Sequence, residues 1–248
     1  MIQVYNPTSG SLTGQFIALV NTLLVASESP EGFDFSSVSW AYPLLVLPIS
    51  IISHQTGSTV LAQDPVRSYL STIHFPHGVT NISETSLAGK TYMPIGRLVD
   101  SDLVGKEKLS TYFNKMIFGA LSGVPGSENA VYYPISELVT NIFEHSKKKE
   151  GWIFAQKYPK KDFLDICIAD GGRGLANSYK EEKGLSMSDS EAIEQALSGH
   201  STKSEVERGY GLRTTKRVVC EGLRGSFVII SGQSALIHED NKESIIDL

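Results

Sequence analysis

The sequence predicts a mixed α/β (α+β) protein of two domains, residues 1–100 and 101–248, and three observations carry that expectation. The length of 248 residues exceeds the roughly 100–150 of a typical domain. The first hundred residues alternate helix-period and strand-period segments. A second series then begins, with two helical patterns, two apolar strand-like runs and a glycine-rich turn. With 41% hydrophobic and 20% charged residues, the composition is that of an ordinary globular chain with enough apolar surface for real cores.

In order, Leu12 to Ser27 has a helical pattern, Gly32 to Trp40 reads as a strand, Pro43 to His54 as a helix and Ser58 to Gln63 as a strand. Asp64 and Pro65 supply N-cap and first-turn residues for a helix over Val66 to Thr72. From His77 to Lys106 periodicity is poor and polar residues and glycines are frequent, which places the interdomain connection there. Lys108 to Leu121 then reads as a helix, Ser122 to Asn129 as a loop, and Pro134 to Lys147 as a helix starting at its proline. Strands follow at Gly151 to Lys157 and Asp162 to Ala169. After a glycine turn at Gly171 to Gly174 come helices over Asp189 to Leu197 and Leu212 to Val219, and a strand over Gly225 to Ser231.

A net charge of −5 and a pI near 5.7 give no basic face for a nucleic-acid backbone or an anionic membrane. Cys167 and Cys220 lie in apolar runs and read as buried thiols, which suits a reducing cytoplasm. The longest apolar stretches, Phe16 to Ala26 and Ala41 to Ile52, fall short of the roughly 20 residues that span a bilayer. The N-terminus MIQVYNPTSG lacks the basic-then-apolar order of a secretory signal. A cytoplasmic chain is the expectation, with neither membrane nor nucleic acid as a partner.

Three segments carry chemistry. In ISELVTNIFEHS, Glu137, Asn141 and His145 recur every four residues and share one helix face, opposite Leu138, Val139, Ile142 and Phe143. A carboxylate one turn from a carboxamide can polarise water and offer oxygen to a hard cation; a solvated polar face reads the same way. In DICIADGGRGL an apolar strand ends in Asp170, followed by Gly171, Gly172 and Gly174. An aspartate there can accept a hydrogen bond from an amino group, and glycines let a flat ring approach the backbone; an ordinary Asp-Gly turn is the plainer reading. In SGHSTKSEVERGYGLRTTKRVV, Gly209 and Gly211 precede a helix, and Ser201, Thr202 and Lys203 lie upstream where they could fold over phosphates.

Their order, Glu-x-x-x-Asn-x-x-x-His, then Asp-x-Gly-x-Gly, then Gly-x-Gly-Leu, resembles the GHKL (Bergerat-fold, histidine-kinase-like) ATPases, from about Lys106 to the C-terminus. The resemblance implies a two-layer sandwich with helices on one face of a mixed sheet, and ATP and Mg²⁺ as cofactors. It implies that Asn141 ligates Mg²⁺, Glu137 is the general base, and Asp170 contacts the adenine amino group. Gly172 and Gly174 would shape the adenine pocket, and His145 would lie beside the nucleotide. Ser201, Thr202, Lys203, Gly209, Tyr210, Gly211 and Leu212 would form the lid and its glycine hinge. The N-terminal hundred residues look like a STAS-type domain, although Trp40, Ala41, Tyr42 and Pro43 stand where phosphorylatable relatives carry a serine. The family's sheet commonly closes on a strand with a Gly-Thr pair, which does not occur after Ser231.

The resemblance implies a slow ATPase or a protein-serine kinase similar to the anti-sigma-factor kinases, working with a STAS-type or other protein partner, with a homodimer as one arrangement. Two alternatives stay open: a module in which ATP only orders the lid and gates a protein interaction, and a fold whose glycine turns bind no nucleotide. His54, His74, His77 and His238 read as ordinary surface or core histidines.

Overall fold

The structure is a computed structural model that describes residues 1–26, 30–83, 89–121, 123, 126–199 and 211–248. Its contacts divide the chain into two compact units, Met1–Gly123 with Lys149–Gly171, and Val124–Lys148 with Gly172–Leu248. Each unit is therefore assembled from two stretches of chain.

The first unit opens with β1 (Ile2–Gln3), α1 (Leu12–Leu24), β2 (Gly32–Asp34), α2 (Pro43–Thr56), β3 (Thr59–Leu61) and α3 (Val66–Thr72). The strands form a parallel sheet in the order β1-β2-β3. The expected strand over Gly32 to Trp40 stops at Asp34, because the Asp34 carboxylate accepts the Ser36 N–H at 2.8 Å and turns the chain. Asp64 reaches one turn further than an N-cap: its carboxylate accepts from the Ser68 N–H, and Pro65 takes the cap position. α2 begins at Pro43 and ends on Gly57 at φ +70°. Leu44, Leu45, Val46, Leu47, Ile49 and Ile51 are all buried, so the helix is apolar nearly all round, as a core helix must be.

The second sheet of this unit is antiparallel in the order β4-β5-β6, with β4 at Gly96–Val99, β5 at Glu150–Tyr158 and β6 at Phe163–Ala169. Successive strand residues point to opposite faces, yet Trp152, Ile153, Phe154 and Ala155 are all buried, so β5 is covered on both. Both α2 and α4 (Leu103–Leu121) pack on it, α4 burying Leu109, Phe113 and Ile117 at four-residue spacing. The free thiol Cys220 is buried and Cys167 half-buried, and burial pushes both thiols up.

The second unit contains α5 (Ser127–His145), α6 (Gly174–Lys183), α7 (Asp189–Ser198), α8 (Gly211–Arg217) and a π turn at Val218–Gly222. An antiparallel meander of β7 (Phe227–Ser231), β8 (Ser234–Glu239) and β9 (Lys242–Asp247) completes it. The helix expected to start at Pro134 begins at Ser127 and carries Pro134 inside it, where the ring is buried beside Val131 and Ile135. α6 and the strands β8 and β9 were not expected. The β8–β9 turn is Asp240-Asn241 with both φ near +55°, a two-residue connection that suits Asp and Asn. The single mixed sheet expected after residue 101 is thus replaced by two antiparallel sheets, one in each unit. α7 lies on β8, burying Ala192 and Ile193 against a strand that buries Ala235, Leu236 and Ile237.

Candidate functional site

In the second unit α8 packs on α5, and the contact centres on a glycine. A Cβ on Gly211 would lie 3.1 Å from the Glu137 carboxyl carbon and 3.3 Å from Asn141 Nδ2, so a side chain here would press on both groups. The Gly-x-Gly-Leu segment and the Glu-x-x-x-Asn helix, 70 residues apart in sequence, therefore meet at Gly211. Thr215, buried, donates its hydroxyl to the Gly211 carbonyl at 2.6 Å and steadies the first turn of α8. Arg213 ties the same helix to the end of α7 by donating to the Ser198 carbonyl at 3.3 Å.

Asn141 Oδ1 is buried and has no hydrogen-bond partner among the described residues. An unpaired buried carbonyl oxygen costs a fold roughly 1–3 kcal/mol. Glu137 is half-buried one turn away.

His145 lies two turns from Glu137, about 12 Å along the helix axis. It belongs to a charged cluster: its Nδ1 is 3.3 Å from a Glu182 carboxylate oxygen. Arg173, its side chain only 9% exposed, donates Nε to the His145 carbonyl at 2.7 Å and pairs with Glu181 and Glu182. This cluster fixes the glycine turn against the end of α5. Gly174 takes φ +74° as the first residue of α6, and the next N–H, of Leu175, is accepted by Ser231 Oγ at 2.8 Å. Gly172 is half-buried beside Arg173.

Asp170 is exposed immediately after β6 and belongs to the first unit. Leu212 follows Gly211 in α8. Ser201, Thr202, Lys203, Gly209 and Tyr210 lie outside the described residues. The structure thus brings Glu137, Asn141 and Gly211 together and sets His145 apart in an ion-pair cluster. Among the described residues no group of three His, Cys, Asp or Glu side chains is arranged to hold a metal.

One perturbed carboxyl in the first unit escaped the sequence reading. Burial pushes Asp165 up to about 6, against hydrogen bonds from Gln15 and Tyr158 and the charge of Lys161 that pull it down. It sits by an aromatic group in which Trp40 stacks on Tyr69 at 5.2 Å and Tyr42 and Tyr158 lie 6.1 Å apart. An acid at an alternate position of a strand that otherwise reads Phe-Leu-Ile-Cys-Ile was the available signal.

No family model matches the chain, and no curated protein or solved structure matches it. No described helix is long and apolar enough to cross a membrane.

Proposed function

We propose that this chain binds ATP with Mg²⁺ and acts as a regulatory ATPase or protein-serine kinase of the histidine-kinase-like kind, switching a protein partner. The observation that carries the reading is the meeting of Gly211 with Glu137 and Asn141, beside an Asn141 Oδ1 that is buried and has no hydrogen-bond partner among the described residues. Three residues singled out for nucleotide chemistry converge at a tightly packed glycine.

The residues fit the metal. Mg²⁺ takes oxygen ligands, keeps several waters and uses few protein groups, so one carboxamide oxygen beside phosphates and water is an adequate protein contribution. When bound, Mg²⁺ would neutralise charge on the terminal phosphates. Asn141 would hold it through Oδ1, Glu137 would orient and polarise the attacking water or hydroxyl, and Gly211 keeps the backbone close to both. The adenine contact of Asp170 and the lid role of residues 201–210 rest on the sequence resemblance alone.

Calorimetric titration of the full chain with ATP, with and without Mg²⁺, tests this. Mg²⁺-dependent binding is expected in the native chain, and loss of that dependence in Asn141→Leu. Asn141→Leu should also unfold about 1 kcal/mol later than the native chain in denaturant, because it removes an unpaired buried oxygen. Asp170→Asn should lose adenine selectivity, and Glu137→Ala should keep binding and lose hydrolysis. A folded chain that binds no ATP sinks the proposal.

A further inference from the structure

The first unit brings two histidines from distant segments into contact. His54, in the last turn of α2, and His77, in the loop before β4, place their Nδ1 atoms 3.2 Å apart with the rings at 72°. Two imidazole nitrogens bound to one tetrahedral Zn²⁺ at 2.0–2.1 Å stand about 3.3 Å from each other. The observed separation matches that bite distance and is also the length of the imidazole–imidazole hydrogen bond the pair makes, whose proton a metal would displace.

The surroundings hold both rings in place. Ser50, one turn before His54, donates to the Pro76 carbonyl at 2.6 Å, tying α2 to the residue preceding His77. Gly78 follows at φ +63°, where a Cβ would lie 2.9 Å from the Ile95 carbonyl, and Val79 N–H bonds that same carbonyl at 2.8 Å. The His77 loop is therefore fastened to the strand region as well as to the helix. His54 is further set by edge contact with Trp152 at 5.3 Å.

The far side of His54 faces a carboxylate, the kind of group that lies behind a metal-bound imidazole. Its Nε2 faces a Glu150 oxygen at 4.0 Å, and the other oxygen of Glu150 accepts from Arg97 at 2.7 Å. At 4.0 Å this carboxylate is an electrostatic neighbour of the non-ligating nitrogen rather than its hydrogen-bond acceptor.

We propose that His54 and His77 form a binding site for a borderline divalent cation of the Zn²⁺ class, through their two Nδ1 atoms, with Glu150 as the positioning carboxylate. Imidazole ligands favour Zn²⁺ and its neighbours over Mg²⁺ or Ca²⁺. The other two tetrahedral positions fall to water or to an external ligand, since no third side chain of ligating type joins the pair among the described residues. The site is separate from the nucleotide chemistry proposed above and stands without it.

The test is calorimetric titration of the chelator-stripped full chain with Zn²⁺ in the absence of nucleotide. One Zn²⁺ per chain is expected, undisturbed by excess Mg²⁺. His77→Ala and His54→Gln should each weaken binding at least ~10-fold, and Glu150→Gln should weaken it about 10-fold. His238→Ala, whose ring pairs with Glu243, should bind as the native chain does. His77 is exposed, so its variant should melt as the native chain does, which separates loss of the site from loss of the fold. Absence of Zn²⁺ binding by the folded native chain, or equal affinity in His77→Ala, overturns the proposal. So does affinity lost in His238→Ala alone, which would place the metal on the Glu243 pair.

Discussion

At the scale of single residues, the most consequential groups are polar atoms the fold leaves under-served. Asn141 Oδ1 is one, and Asp165 is another of a different kind. Asp165 accepts a 3.3 Å hydrogen bond from Gln15 but is buried enough to hold its proton up to about pH 6. An acid whose pKa is higher folded than unfolded binds more protons in the folded state, so protonation favours folding. Its contribution is full below the ordinary aspartate range and is lost as pH rises through about 6. Asp165→Asn should therefore melt close to the native chain near pH 4 and above it at pH 7, the gap opening across pH 4–6.5. A melting-temperature difference that stays constant over that range would show that Asp165 titrates normally.

At the scale of elements, the glycine turn before α6 depends on a side chain as well as on its glycines. Arg173 is nearly buried and serves the α5 C-terminal carbonyl of His145 together with two α6 carboxylates. Its removal leaves Glu182 and an end-of-helix carbonyl without their cationic donor; with the guanidinium nearly buried but the carboxylates part-exposed, the loss costs roughly 1–2 kcal/mol. Arg173→Ala is expected to lower denaturant stability by about that amount, and Arg173→Lys to recover only part of it, because an ammonium cannot reach three acceptors in a planar fork. Full recovery by lysine would reduce the cluster to simple charge. The same cluster engages His145: helix spacing sets it two turns from Glu137, and there its Nδ1 meets Glu182.

At the scale of the whole molecule, the chain is woven so that neither compact unit is one continuous stretch. The edge strand β4 pairs with β5, Gly96 opposite Ile153 and Val99 opposite Glu150, and α2 packs on β5 and β6. A fragment of residues 1–100 would expose Met93, Ile95 and Leu98, all fully buried in the intact chain. It is expected to show no cooperative thermal transition, whereas the full chain should. A sharp transition in the fragment would show that the parallel sheet and its helices suffice for a core.

By itself the sequence determined the mixed α/β class and most helices, because a 3.6-residue apolar period or a run of apolar strand residues needs no partner to be read. It marked Glu137, Asn141 and Gly211 as chemically noteworthy. Tertiary structure alone decided that Gly211 lies against the other two, since proximity across 70 residues is set by packing of α8 on α5. It also decided which strands share a sheet: hydrogen-bonded pairing depends on register between distant segments, and local periodicity is silent on that. The helix through Pro134 and the strands β8 and β9 were overlooked for related reasons. Burial of Val131, Pro134 and Ile135 overrides the proline signal, and the Asp240-Asn241 turn identifies a hairpin only once its flanking strands are paired. The two histidines show the division most plainly. Each alone looks ordinary, and only the fold sets their nitrogens 3.2 Å apart with a carboxylate behind one of them.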